Sequence, residues 1–279
     1  MDQPLRTRAC ILTIVTLLAA ALVSCAVDHE SSATTHIPPL AGEALTNQTR
    51  LLAELRRLPR EVPSEARVFK TLRYRLFKPP DFDSARAYPL VLSLHGGGPR
   101  HNFDHLLEGD APGFAYGIGR LVSMETQRHQ PCIVFAPWSG AQGWNDANRA
   151  LVLDALRALQ AEFKIDPKRI YVTGQSMGGY GTWAMVTEHP EIFAAAIPIC
   201  GGGDLGLARH ARTVPIWAFH GTADTLVPAS ETRRMVWALS KVGGNVTYWE
   251  YEGATHAQTA ERAYCEPNLV HWLFQQVKP

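Results

Sequence analysis

Five short runs that are apolar on both faces recur along the chain: "YPLVLSL" at 88–94, "PCIVFAP" at 131–137, "RIYVTG" at 169–174, "FAAAIPI" at 193–199 and "VPIWAFHG" at 214–221. A strand with one wet face alternates apolar and polar residues. A strand without that alternation is buried on both sides and needs a layer of cover above and below it. The cover is present in the sequence. Residues 145–166, 177–188, 230–243 and 266–277 carry apolar residues at helical spacing between these runs, "VTYWEY" at 246–251 adds a further strand, and "ARVFKTLRYRLFKP" at 66–79 alternates like two edge strands. The expectation is a three-layer α/β fold, a mostly parallel central sheet with helices on both faces. Ligands on such sheets bind in the crevice beyond the carboxyl ends of the strands. Chemistry is therefore to be sought in "HGGG", "PWSGAQGW", "GQSMGG", "GGGD", "HGTADTLVP" and "GATHAQ".

At 279 residues and 46% hydrophobic content the chain can bury one large core, which is assigned to a domain over 66–279. The 27 basic and 26 acidic residues are spread without runs of like charge, which argues against a nucleic-acid partner. The N-terminus stands apart. Arg6 and Arg8 precede the apolar run "ACILTIVTLLAAALVS", which ends at Leu22-Val23-Ser24-Cys25. This is the pattern of a cleaved export signal over 1–24, and the last four residues resemble a bacterial lipobox, which makes Cys25 the expected lipidation site. An incidental cysteine after an ordinary signal, or an uncleaved anchor, are the competing readings. On the lipoprotein reading the protein is exported and meets a membrane only through its lipid, facing the periplasm or the cell exterior. Residues 25–65 are expected to form a tether with one short amphipathic helix in "EALTNQTRLLAELRRLP", a patch that could equally cap the domain. Cys132, Cys200 and Cys265 have no CxxC spacing, so buried thiols are expected, with at most one disulfide.

Gly174-Gln175-Ser176-Met177-Gly178 fits G-x-S-x-G and lies between a strand and a helix. That turn is so sharp that a Cβ at either glycine would strike the neighbouring strand or helix, and it lifts the serine oxygen clear of the sheet. The plainer alternative is that Ser176 only caps the helix. A serine hydroxyl needs a base, and the base needs a buried acid to hold its tautomer. In the expected chain order the acid and then the histidine follow later strands; Asp224 and His256 stand there. Oxyanion donors are expected from the backbone of Met177, at the head of the helix, and of Gly97 in the glycine loop, with Gly98 next. Among competing residues, His220 and His95 read as loop supports and His271 as a helix residue. Asp204 is the second candidate acid, and Asp146 reads as a helix N-cap. His101 and His105, four apart, lack an evident third ligand, so no metal site is assigned.

Together, "YPLVLSLHGGG", "IDPKRIYVTGQSMGGYGTW", "FAAAIPICGGGD", "VPIWAFHGTADTLVP" and "GATH" resemble the α/β-hydrolase superfamily. Within it the likeness is to esterases akin to feruloyl esterases and polyhydroxybutyrate depolymerases, and to a peptidase group related to the prolyl oligopeptidase catalytic domain. The resemblance implies Ser176 as nucleophile, Asp224 as acid and His256 as base, acting on carboxylic esters through an acyl-enzyme without metal or organic cofactor. Such relatives often carry a tryptophan shortly after the histidine, whereas here "AQTAERAY" follows His256. Trp138 and Trp144 flank "SGAQG" on the catalytic edge and could stack on substrate or merely roof the loop; Trp217 and Trp272 read as core. A serine peptidase using the same residues, and a catalytically silent binding lipoprotein, are the alternative functions. No apolar insertion resembles a lipase lid, which favours short-acyl or sugar-linked esters, polymer-bound ones included.

Overall fold

The computed structural model describes residues 34–98, 102–104 and 114–279. The export signal, Cys25 and the His101/His105 pair fall outside these residues. Among the described residues no helix is long and apolar enough to cross a membrane.

The strands run in chain order as β1 (Thr34–Ile37), β2 (Glu65–Phe69), β3 (Leu72–Phe77), β4 (Tyr88–Leu94), β5 (Ile133–Pro137), β6 (Ile165–Gln175), β7 (Ala195–Ile199), β8 (Ile216–Gly221) and β9 (Val246–Tyr251). They form a nine-stranded sheet in the order β1-β9-β8-β7-β6-β4-β5-β3-β2. Every pairing from β1 across to β5 is parallel, and β3 and β2 close the far edge antiparallel. The helices are α1 (Gly42–Glu61), α2 (Phe114–Val122), α3 (Met124–His129), α4 (Asp146–Glu162), α5 (Met177–Glu188), α6 (Ser230–Lys241), α7 (His256–Tyr264) and α8 (Leu269–Gln275).

The doubly apolar strands serve two cores at once. Leu90, Leu92 and Leu94 of β4, Val172 of β6 and Ile216 and Ala218 of β8 face the layer that holds α4, α5 and α6. The intervening Val91, Tyr171, Trp217 and Phe219 face the layer that holds α1, α2, α7 and α8. Each fully covered side chain of this size contributes about 1.5–3 kcal/mol, which is why the period-2 polar face is missing from the sequence.

Residues 34–61 are packed against the domain. β1 adds a parallel edge strand to β9, with Thr34 opposite Tyr248 and Ile37 opposite Tyr251. The helix expected to be short runs 20 residues, and it buries Leu52 and Leu55. A Cβ on Gly119 of α2 would lie 2.3 Å from the Leu55 carbonyl oxygen, so the two helices touch backbone to backbone. Periodicity in "LLAELRRLP" shows an apolar stripe but not the surface it meets. The strands of 66–279 and the helices α4, α5, α6 and α8 lie close to where the sequence places them, although β6 begins at Ile165, inside the stretch read as helix. α2, α3, α7 and the 3-10 helices are additions not expected from the sequence. α7 begins at His256, and a 3-10 helix spans Leu205–Thr213. Cys132 and Cys200 are buried, Cys265 is half-buried, and all three are free thiols.

Candidate active site

The parallel register brings the strand ends level. Leu94 pairs with Gly174, Gln175 with Ile199, Ile199 with Phe219, and Gly221 with Tyr251. The residues that follow therefore emerge along one edge. This is how segments 80 residues apart share a site.

Ser176 occupies φ 58°, ψ −120°, a conformation that residues with a Cβ seldom adopt. It is held there by its own N–H, which donates to the Ile199 carbonyl at 2.8 Å, and by its carbonyl, which accepts from the Tyr180 N–H at 3.0 Å. The two glycines of the motif are sterically obligatory. A Cβ at Gly174 would lie 2.5 Å from the Gly178 carbonyl oxygen, and one at Gly178 would lie 2.0 Å from that of Leu94. Ser176 stands at the N-cap position of α5, yet its side chain makes no capping hydrogen bond, so the hydroxyl is not committed to the helix. The Met177 N–H, in the first turn of α5, likewise has no intrahelical acceptor to serve. Gly96 rather than Gly97 backs the nucleophile: a Cβ on Gly96 would lie 3.7 Å from the Ser176 Cβ, whereas one on Gly97 would meet nothing within 4 Å.

The Asp224 carboxylate is fixed from several sides. Oδ1 accepts the backbone N–H groups of Leu226 and Val227, each at 2.9 Å. Oδ2 accepts His256 Nδ1–H at 2.6 Å. Burial pushes this carboxyl's pKa up, but the backbone donors and His256 outweigh it and hold the group below the usual carboxylate range. With Nδ1 carrying the proton, His256 Nε2 is left as the basic nitrogen. His256 is the first residue of α7, whose capping box pairs Thr255 with Gln258 and fixes where the ring starts. The Gln175 side-chain amide donates to the His256 carbonyl at 3.4 Å, tying that turn to the residue before Ser176.

The sequence does not reveal the network under the glycine loop. His95 is buried, and burial lowers its pKa to about 4. Its Nδ1–H donates to the Gly96 carbonyl at 2.7 Å and its Nε2 accepts the Ser139 N–H at 3.0 Å. The Trp144 indole N–H donates to the His95 carbonyl at 2.9 Å. The neutral ring thus ties the loop after β4 to the loop after β5. The two tryptophans separate: Trp144, 6% exposed, lines a groove of about 630 Å³. Met177, Tyr180 and Gly181 of α5, Gly202–Gly203 and the polar Asn145 and Arg149 are among its other lining residues. Trp138 packs edge-on to Phe103, beside the Arg73 guanidinium. Asp204 caps the 3-10 helix by accepting the Gly206 N–H. Asp146 does not cap α4, as the sequence suggests it should. Asn145 does, accepting the Asn148 N–H at 2.9 Å, because it keeps extended backbone while Asp146 is already helical. His271 is paired with Gln275 on α8. Cys200, His220 and Asp224 offer ligand atoms within 4.8 Å of one another. Hydrogen-bond donors already occupy both Asp224 oxygens, so the cluster is a hydrogen-bonded network rather than an open metal cage.

A mostly parallel sheet with helices on both faces, a strained serine turn after a central strand and an Asp–His pair on later loops define the α/β-hydrolase fold. The comparisons agree. A family model for the prolyl oligopeptidase family matches residues 139–209. The chain is 26% identical over 158 residues to the probable feruloyl esterase C of Aspergillus niger, covering 56% of each protein. It is 30% identical over 145 residues to a bifunctional acetylxylan esterase/xylanase of Neocallimastix patriciarum, 50% of this chain and 20% of that one. A solved thermostable esterase superposes with TM-score 0.71 at 35% identity, over 77% of this chain and 63% of the other. The feruloyl esterase module of Clostridium thermocellum shares the fold at TM-score 0.63 and 15% identity, over 89% and 97% of the two chains. The chain spans about half the length of the feruloyl esterase relative and a fifth of the acetylxylan esterase/xylanase. The chain has the α/β-hydrolase fold, and the relatives that carry the sequence likeness include esterases.

Proposed function

We propose that this protein is a serine hydrolase that cleaves carboxylic esters. The observation that carries the reading is the 2.6 Å bond from His256 Nδ1–H to Asp224 Oδ2, on the same sheet edge as a serine held at φ 58°. Ser176 Oγ attacks the ester carbonyl as His256 Nε2 takes its proton, and the Met177 and Gly97 N–H groups receive the oxyanion. The protonated imidazole then hands the proton to the departing alkoxide, leaving an acyl-Ser176. Water, deprotonated by the same ring, releases the acid and restores the serine. Asp224 stays ionised throughout and stabilises the imidazolium.

Substrate class is supported by the acetylxylan and feruloyl relatives together with the groove beside Met177, which suit short-acyl or aromatic esters on a carbohydrate. The peptidase reading draws on the prolyl oligopeptidase model, whose match ends at 209 and so bears on the serine turn but not on Asp224 or His256. The apolar N-terminus and Cys25 support an exported, lipid-anchored protein, with contact to membrane only through the lipid.

Release of p-nitrophenol from acetyl, butyryl and octanoyl esters by the full chain tests the reading. Ser176→Ala is expected to lower turnover by about 10⁴-fold or more. No hydrolysis of any ester, together with no labelling of Ser176 by a fluorophosphonate, would overturn it.

A further inference from the structure

His220 is the penultimate residue of β8, four residues before Asp224, and its side chain is fully enclosed. The ring's Nε2 faces two oxygen acceptors, the Val227 carbonyl at 2.9 Å and Asp224 Oδ2 at 3.2 Å, and so must carry a proton. On the other side Nδ1 lies 2.7 Å from Thr232 Oγ1, itself buried and 2.6 Å from the Gly201 carbonyl. The ring is thereby clamped between α6 and the loop that bears the acid. Its Nε2–H donates to the Val227 carbonyl, and the same nitrogen lies 3.2 Å from the carboxylate oxygen that serves His256.

This oxygen has one imidazole donor in His256 and a second imidazole nitrogen at 3.2 Å, whereas Oδ1 has two backbone donors. Oδ1 alone would leave the carboxylate free to swing about that oxygen. A second contact on Oδ2 fixes the carboxylate plane in which it meets His256.

We propose that His220 is a positioning residue for the triad: its Nε2–H anchors Asp224 Oδ2, fixing the carboxylate's orientation and drawing off part of its charge. The inference rests on the proposed serine-hydrolase reading. Two effects follow from the geometry. Without His220 the carboxylate is less well aimed, which lowers turnover more than binding. It is also more basic, so it stabilises the His256 imidazolium more and the ring loses its proton at higher pH. The acidic limb of the activity profile then moves up, not down. The titratable groups that face Asp224 from the packed elements are Cys200 at the end of β7, Tyr180 on α5, and His220 and His256 themselves. Burial holds the Cys200 thiol and the Tyr180 phenol above their ordinary ranges, so neither ionises across the limb.

The competing role is a brace, in which the Nε2–H bond to Val227 only holds the loop's shape. The two are separable with the full chain on p-nitrophenyl acetate, following kcat and KM against pH and the far-downfield proton NMR signal of His256 Nδ1–H. His220→Leu is expected to lower kcat about 10-fold, the equivalent of one hydrogen bond to a charged group, with KM within about twofold. Its acidic limb should rise by roughly 0.5–1 pH unit, and the downfield proton should shift. His220→Gln, which returns an amide N–H near the Nε2 position, should restore most of both. A His220→Leu enzyme with the wild-type limb and an unmoved downfield proton, whatever its melting temperature, would overturn the proposal in favour of the brace. Should His220→Leu not fold, Thr232→Val loosens the ring while keeping it, and the same smaller shift is expected; an unshifted limb there overturns the proposal equally. The NMR signal needs no turnover. A chain inactive on every ester but with a downfield proton that moves on substitution would sink the esterase reading and leave the positioning contact standing.

Discussion

Replacing Ser176 by glycine should make the protein more stable than replacing it by alanine, although both remove the nucleophile. At φ 58°, ψ −120° a residue with a Cβ carries strain on the order of 1–3 kcal/mol. Alanine keeps the Cβ and hence the strain. The serine hydroxyl makes no capping bond that alanine would forfeit, so Ser176→Ala should melt close to wild type. Glycine removes the strain but gains freedom in the unfolded chain, which costs about 0.5–1 kcal/mol. The balance is about 1 kcal/mol in favour of glycine, or roughly 2–4 °C in a domain of this size. The lost methyl matters little, because the site is only half-buried. Thermal unfolding of both variants by circular dichroism measures the difference. A glycine variant that melts at or below the alanine one would refute the claim that the turn stores strain. The strain would then be no part of how the serine is presented.

Gly178→Ala, whose Cβ would sit 2.0 Å from the Leu94 carbonyl oxygen, should cost more than about 3 kcal/mol or prevent folding, while Gly97→Ala, facing open space, should fold normally; urea unfolding separates them. Leu55→Ala should lower unfolding free energy by about 2–5 kcal/mol, and a loss under about 0.5 would show that α1 adds nothing to the domain. Asp224, whose pKa is lowered on folding, stabilises the fold fully above its unfolded pKa near 3.9, and that contribution is lost as pH falls through the folded value. The melting-temperature gap between wild type and Asp224→Asn should therefore shrink as pH is taken from 6 to 2, and a gap that widens would contradict the shift.

Much of this molecule was legible in one dimension because its signals are local. A strand buried on both faces, such as β4 or β8, must be apolar at consecutive positions, and that is visible residue by residue. The serine turn is equally local: Gly174 and Gly178 are dictated by contacts within one strand, one turn and one helix, together with the neighbouring strand end at Leu94. Asp224 and His256 could be selected because parallel strands deliver their loops to one edge in chain order. The N-cap of α4 shows the limit of such reading, since neighbouring Asn145 and Asp146 have equal chemistry for the task and only the backbone angle distinguishes them.

Other features depend on what meets what across long separations. The stripe of α1 has no partner until α2 presents Gly119 to it, and α7 adds Glu261 opposite Arg56. Trp138 and Trp144 share one loop and one side-chain type, yet one turns to Phe103 and the other to the groove beside Met177. His95 and His220 each stand at the carboxyl end of a strand and precede a glycine, and their sequence contexts are nearly interchangeable. Their different neighbours, Ser139 for one and Asp224 for the other, come from strands and loops that pair in space and not in sequence. The sequence by itself determined which strands are buried, where the serine turn lies and which acid and histidine follow later strands, because short-range sterics and burial leave their mark at each position. Only the tertiary structure decided which donors surround Asp224, since a hydrogen bond is set by the meeting of two surfaces and neither one records its partner.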